Sequence, residues 1–161
     1  NRSGTDISTK SRTTKNNIIY FMQPKVILTI EIILHATEDI TKIEKSLSDT
    51  LEITPEFAKE EMSGHFGNPI TILKAKIPKN HTSKIISKLM SKISDNDLEI
   101  LDQELDKMKK NSGLQIRLSK QDLIRGRISF EKKDSVKLII TTPVYKKNEI
   151  GRIYREILNI R

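Results

Sequence analysis

KVILTIEIIL, residues 25–34, is the stretch of sequence that decides the fold class. Its apolar residues recur at every second position from Val26 to Leu34, whereas Thr29 and Glu31 interrupt the other face. A period of two is typical of a β-strand that buries one side and leaves the other side mixed. The stretch therefore predicts one strand of a sheet that is covered by helices on one face.

The patterns on the C-terminal side of this strand predict a helix, two strands, two helices, three strands and a last helix. Helical spacing indicates helices over about residues 37–51, 82–93, 95–110 and 148–160. Thr37 is the predicted cap of the first of these helices, and Thr82 or Ser83 is the predicted cap of the second. Alternation indicates strands over about residues 59–63, 70–77, 114–119, 127–130 and 136–141, with Ile128 and Phe130 on the same face as Val136 and Leu138. Such blocks of like elements predict an α+β fold, with an antiparallel or mixed sheet and helices packed on one face.

The length of 161 residues fits one domain with a tail. Residues 1–21 are rich in Ser, Thr, Asn, Lys and Arg, a composition that buries too little apolar area to fold alone. Because Met22 resembles a natural start, we expect a polar basic tail or leader over residues 1–22 and a single α+β domain over residues 23–161. Ile18 to Phe21 are the expected docking residues of the tail.

Several classes of protein are excluded by composition. The chain has no Cys, which excludes disulfides, thiol catalysis and Cys-ligated metal sites, and is compatible with the reducing cytoplasm. No apolar run approaches the roughly 18 residues that span a bilayer, and the N-terminus lacks the pattern of a signal peptide. We therefore expect a cytoplasmic protein that has no cofactor and no membrane partner.

The positive charge is concentrated in the last third of the chain. Residues 108–161 contain 14 Lys and Arg but only 5 Asp and Glu, whereas residues 23–107 contain 11 basic and 15 acidic residues. A concentrated positive field favours a polyanion such as nucleic acid, anionic lipid or an acidic protein surface. A lysine-rich composition that places Lys on every solvated face is the alternative, but it explains the uneven distribution less well.

The last predicted strands supply the candidate binding surface. If their apolar residues face the helices, then Gln115, Arg117, Arg127, Ser129 and Lys137 share the opposite face, which is suited to phosphate and sugar contacts. An ordinary solvated face remains the alternative. The scarcity of aromatic residues argues against a base-stacking platform and favours binding through the RNA backbone. The candidate RNA-binding residues, with the adjoining loops, are Arg117, Lys120, Gln121, Arg125, Arg127, Lys137, Lys146 and Lys147.

Two further groups of residues could act in catalysis, metal binding or nucleic-acid binding. His35, Asp39 and His65 are candidates for acid–base or metal chemistry, but their spacing matches no known motif, and His35 is expected to order a strand-to-helix turn. The segment Gly64-His-Phe-Gly67 matches the Gly-X-X-Gly loop of KH domains. That loop joins two helices, whereas this one joins two predicted strands, so we expect a tight hairpin.

Three segments together resemble a known family. They are HATED at residues 35–39, GHFGNPI at residues 64–70 and RLSKQ at residues 117–121. In this order they resemble the archaeal family of predicted exosome-associated RNA-binding proteins, over roughly residues 25–158. The resemblance implies an α+β fold similar to that of the ribosomal protein that contacts five-S RNA, no catalytic activity and no cofactor. It supplies no binding residues, and residues 1–21 have no counterpart in it.

The sequence thus predicts a non-enzymatic RNA-binding protein that contacts the phosphate backbone through a basic C-terminal sheet face. The expected partners are RNA, bound with little sequence specificity, and the exosome or other RNA-processing proteins; a homodimer is left open. The alternative is a protein-interaction subunit whose basic face docks an acidic partner protein. A third interpretation is an enzyme centred on His35.

Overall fold

The computed structural model describes residues 25–160, so the predicted tail, its docking residues and the boundary after residue 22 lie outside it. Within this range the strands are β1 (Ile27–His35), β2 (Ala58–Ser63), β3 (Pro69–Lys76), β4 (Leu114–Ser119) and β5 (Ser135–Thr141). The helices are α1 (Ile40–Leu51), α2 (Lys79–Lys92), α3 (Asp95–Lys107), α4 (Lys120–Ile124) and α5 (Ile150–Leu158). Short 3-10 turns lie at His65–Gly67 and Lys147–Glu149.

The five strands form one sheet in the order β2-β3-β1-β5-β4, and every neighbouring pair is antiparallel. β1 lies at the centre, with β3 on one side and β5 on the other. The α+β fold predicted from the sequence is confirmed, and the sheet is antiparallel throughout the described residues.

The hydrophobic core lies between one face of this sheet and the helices. Leu28, Ile30 and Ile32 of β1 are almost completely buried, and Leu47 of α1 and Tyr154 of α5 are buried in the same cluster. Burial of each large apolar side chain contributes roughly 1.5–3 kcal/mol, so the alternation seen in the sequence fixes which face is covered. The other face of the sheet, which we call the open face, is only partly buried.

Helix starts follow local hydrogen bonding and differ from two predicted caps. Asp39, rather than Thr37, caps α1, because its carboxylate accepts a hydrogen bond from the backbone N of Thr41 at 2.9 Å. Hydrogen bonds from the side chain and the backbone of Thr41 hold the pKa of Asp39 below its usual value. α2 begins at Lys79, directly after Pro78, several residues before the predicted caps at positions 82 and 83.

The predicted strand at residues 127–130 is wrong. After β4 the chain enters α4 and turns back, and Phe130 forms a single bridge with Leu118 at the outer edge of the sheet. The backbone N of Arg127 donates to the carbonyl of Asp122 at 2.8 Å, which holds the segment against α4 and prevents a longer ladder. β4 pairs instead with β5 along its whole length.

Candidate nucleic-acid interface

A row of charged residues crosses four strands on the open face. The register places Lys74 of β3 beside Glu31 of β1, Glu31 beside Lys137 of β5, and Lys137 beside Arg117 of β4. Neighbouring strands lie roughly 4.8 Å apart, so this row is about 14 Å long. We call its three cations, Lys74, Lys137 and Arg117, the basic row.

Glu31 is shared between two lysines of the basic row. Lys137 Nζ lies 3.5 Å from Glu31 Oε1, and Lys74 Nζ lies 3.9 Å from Glu31 Oε2. One carboxylate balances only one of the three cations, so the row keeps a net positive charge. Both pairs are long and partly exposed, and such pairs contribute little stability. The two ammonium groups can therefore turn toward a phosphate at small cost.

Arg117 is positioned by neutral groups. Its Nη2 donates to Gln115 Oε1 at 2.9 Å, and its Nη1 lies 3.5 Å from the carbonyl oxygen of Lys132. Across residues 25–160, no carboxylate lies within ion-pair distance of this guanidinium. Arg117 thus keeps its full charge and presents a planar fork of donors, the geometry that matches a phosphate.

Sequence reasoning missed Lys74 and Lys76, which lie on the open face of β3. Both alternate with the inward Leu73 and Ala75, so their outward placement could have been predicted. Their proximity to the C-terminal strands could not, because it depends on β1 lying between β3 and β5.

Lys120 is not on the surface, which corrects its predicted role as an exposed phosphate contact. Only 5% of the residue is exposed, and its Nζ donates to the carbonyl of Ile33 at 2.6 Å. The same Nζ contacts the Glu38 carboxylate at 3.0 Å and Asp134 Oδ1 at 2.6 Å. Its hydrogen-bonding capacity is used inside the fold, so it is not available to RNA.

Gln121, Arg125 and Arg127 are exposed around the short helix α4. Arg127 was expected on the sheet face, but it lies in the irregular segment after α4, where its Nη2 is 3.5 Å from Asp122 Oδ1. Ser129, expected beside it, donates its hydroxyl to the same carboxylate. These residues therefore lie around α4, beyond the Ser119 end of β4, and do not extend the basic row.

Lys146 and Lys147 are exposed in the segment that leads to α5. Lys147 lines a hollow with Asp106 and Met108, at the end of α3, and with Gly151 of α5. The two lysines thus belong to the helical side of the molecule, and the structure does not bring them together with Arg117 and Lys137.

A groove of about 420 Å³ runs between α3 and the edge of β4. Arg117, Phe130 and Lys132 line one side, but Asp97 and Glu104 line the other. The two carboxylates would repel a phosphate, so the open face is the better surface for an RNA backbone.

His35 lies in a different group from the one that the sequence indicated. Asp39 is engaged as the cap of α1, and the side chain of His65 lies outside the described atoms. His35 Nε2 is instead 3.5 Å from Asp134 Oδ1, and the ligand atoms of His35, Glu38 and Asp134 lie within 4.8 Å of one another. A metal ion could be held by such donors, but the ammonium group of Lys120 already forms ion pairs with both carboxylates.

Solved structures of archaeal proteins share this fold. A DUF54 protein from Archaeglobus fulgidus is 24% identical, with a TM-score of 0.69 over 81% of this chain and 97% of its own. A DUF54 protein from Methanothermobacter thermautotrophicus is 24% identical, with a TM-score of 0.66 over 84% of this chain and 98% of its own. A DUF54 protein from Sulfolobus solfataricus is 23% identical, with a TM-score of 0.61 over 83% of this chain and 97% of its own.

Three other findings bear on the class of protein. Among the described helices, none has the length and apolar composition needed to cross a membrane. No curated protein matches the sequence. A family model described as RNA binding matches residues 27–142, which contain every strand of the sheet and the whole basic row. The chain therefore belongs to this RNA-binding family.

Proposed function

We propose that the protein is a non-enzymatic RNA-binding protein whose open sheet face contacts the phosphate backbone. The basic row is the observation that carries this proposal, because the pairing of four strands aligns Lys74, Lys137 and Arg117 around the single carboxylate of Glu31. Phosphate contacts supply most of the affinity of such a surface, whatever the sequence of the RNA.

The proposed site differs from the one predicted from the sequence. Its centre is the basic row together with Lys76, which follows on the same face of β3. Gln121, Arg125 and Arg127, which are exposed around α4, are secondary contacts in this proposal, and Lys120 supports the fold.

Backbone contacts imply that affinity depends little on base sequence. The inward residues of β1, β4 and β5 are buried, and the open face of these three strands has no aromatic side chain on which a base could stack. We therefore expect a duplex RNA to be recognised through its shape and phosphates. Two duplexes of unrelated sequence should bind with affinities that agree within a few-fold.

The first test is fluorescence anisotropy with labelled duplex RNA at low salt. The double variant Arg117→Gln/Lys137→Gln should bind at least about tenfold more weakly than the wild type, as expected for the loss of two phosphate contacts. The matched control, Lys146→Gln/Lys147→Gln, removes the same charge from the helical side and should bind nearly as the wild type does. Equal affinities for the wild type and both variants would contradict the proposal.

The resemblance to exosome-associated proteins adds a partner to the proposal, namely an RNA-processing assembly. The competing function is an adaptor whose basic face docks an acidic protein. Affinity capture from an archaeal extract, with and without ribonuclease treatment, separates the two. Partners held through RNA should be lost after ribonuclease treatment, whereas an acidic protein that remains bound directly to the open face would support the adaptor.

A further inference from the structure

The tip of the β2–β3 hairpin presents an aromatic side chain to solvent. Phe66 is 95% exposed, and its backbone adopts the left-handed conformation, with φ 62 and ψ 23. For a residue other than glycine this conformation costs roughly 1–2 kcal/mol. An exposed aromatic ring on a tight turn is accessible to a ligand.

The backbone beneath the ring is held in place. The N of Gly64 donates to the carbonyl of Asn68 at 2.6 Å, and the N of Gly67 donates to the carbonyl of Gly64 at 3.1 Å. Gly67 is also left-handed, with φ 75, which closes the turn. The side chain of Ile70 lies so close to Gly64 that an added Cβ there would meet its Cδ1. These contacts preorganise the tip, so Phe66 can meet a ligand without rearrangement of the turn.

The hairpin that carries Phe66 also carries part of the proposed RNA surface. β3 begins at Pro69, just after the tip, and reaches Lys74 of the basic row five residues later, about 17 Å along the strand. Between them, Ile70 and Ile72 lie on the open face. An RNA that contacts Lys74 through its phosphates is therefore within a few nucleotides of the tip.

We propose that Phe66 stacks on one unpaired base of the bound RNA, so that the protein recognises a duplex next to a bulge or loop. This inference rests on the proposed function, because the basic row must hold the adjoining duplex. Base–aromatic stacking is worth about 1–3 kcal/mol per base and does not depend on which base stacks. It would add a preference for RNA structure to a surface that otherwise reads only phosphates.

The test compares a fully paired RNA duplex with the same duplex that contains a single-nucleotide bulge. Phe66→Asn removes the ring and keeps a residue that tolerates the left-handed backbone, so the variant should fold at least as stably as the wild type. Phe66→Tyr keeps the ring. The matched control is Tyr145→Ala, which removes another exposed aromatic, 88% accessible, from the segment that leads to α5.

The wild type should bind the bulged duplex about tenfold more tightly than the paired duplex. Phe66→Asn should lose that preference and keep its affinity for the paired duplex, while Phe66→Tyr and Tyr145→Ala should behave as the wild type does. An equal loss on both RNAs, or no loss, would overturn the inference. So would a change in self-association by sedimentation without a change in RNA affinity, since the tip would then be a protein contact. Failure of the proposed function would give a different result. The Arg117→Gln/Lys137→Gln variant would then bind the paired duplex as tightly as the wild type does.

Discussion

The ammonium group of Lys120 lies 2.6 Å from Asp134 Oδ1, inside the fold and not on its surface. The same group bonds the backbone carbonyl of Ile33 and the carboxylate of Glu38. One side chain thus connects β1, the turn before α1, the start of α4 and the segment before β5. Lys120 is therefore a structural residue, although it lies in the most basic third of the chain.

Replacement of Lys120 by Met should destabilise the protein by about 2 kcal/mol. The substitution keeps the apolar stem but removes the donor that Lys120 supplies to two carboxylates and a carbonyl. Part of this cost is relieved, because Asp134 is half exposed and can regain water. Urea unfolding of the wild type and the variant measures the difference.

Lys45 provides the matched control for this prediction. It forms an ion pair with Asp49 across one turn of α1, and both side chains are mostly exposed. Lys45→Met should therefore change the free energy of unfolding far less than Lys120→Met does. Lys120→Met, where it is folded, should also bind duplex RNA as the wild type does. Equal stability losses for the two variants would show that Lys120 is an ordinary surface lysine.

The buried hydroxyl of Tyr154 should make the protein unstable in alkali. Burial raises the pKa of Tyr154 above its usual value of about 10, and the protonated hydroxyl donates a hydrogen bond to Asn111 Oδ1 at 2.7 Å. The folded-state pKa exceeds the unfolded-state pKa, so the contribution to stability is complete below about pH 10 and is lost as the pH rises through the folded pKa. Urea unfolding over a series of alkaline pH values measures this loss.

Tyr154→Phe separates this effect from the titration of lysines. The variant should be about 1 kcal/mol less stable near neutral pH, because Asn111 loses a hydrogen-bond donor. Its stability should then fall less steeply than that of the wild type above about pH 10. Parallel curves for the two proteins would mean that the hydroxyl does not titrate in this range.

Replacement of His35 by Ala should leave RNA affinity within a few-fold of the wild type. His35 lies at the end of β1, with its backbone N bonded to Glu38 and its ring beside Asp134, away from the basic row. The same anisotropy assay measures the affinity. A labelled RNA incubated with the wild type should remain intact, with or without divalent metal ions. RNA cleavage that His35→Ala abolishes would contradict the non-enzymatic function.

The alternation of apolar residues predicted most of the sheet, because burial on one face imposes a period of two on β1, β4 and β5. The segment around Ile128 shows where this argument fails. Ile128 is buried and Phe130 is partly buried, as in a strand, but a short chain can bury alternate residues without pairing along its length. Hydrogen bonds back to α4 decide its path, and they are not visible in a hydropathy pattern.

The candidate site was predictable only where local pattern determines exposure. Arg117 and Lys137 alternate with buried neighbours, so their outward placement follows from the sequence. The burial of Lys120 depends on acceptors that lie 87 and 82 residues away, at Ile33 and Glu38. Such long-range contacts, like the alignment of Lys74 with Lys137 through β1, come from topology and not from residue type.

The most direct test of the basic row is the salt dependence of its affinity for a duplex RNA. Four cations on the open face, Lys74, Lys76, Arg117 and Lys137, should release about four counterions, so log K should fall against log salt with a slope of roughly −4. Arg117→Gln/Lys137→Gln should flatten this slope by about 2, whereas Lys146→Gln/Lys147→Gln should leave it close to the wild-type value. Equal slopes for the wild type and Arg117→Gln/Lys137→Gln, or no binding by the wild type at low salt, would contradict the account.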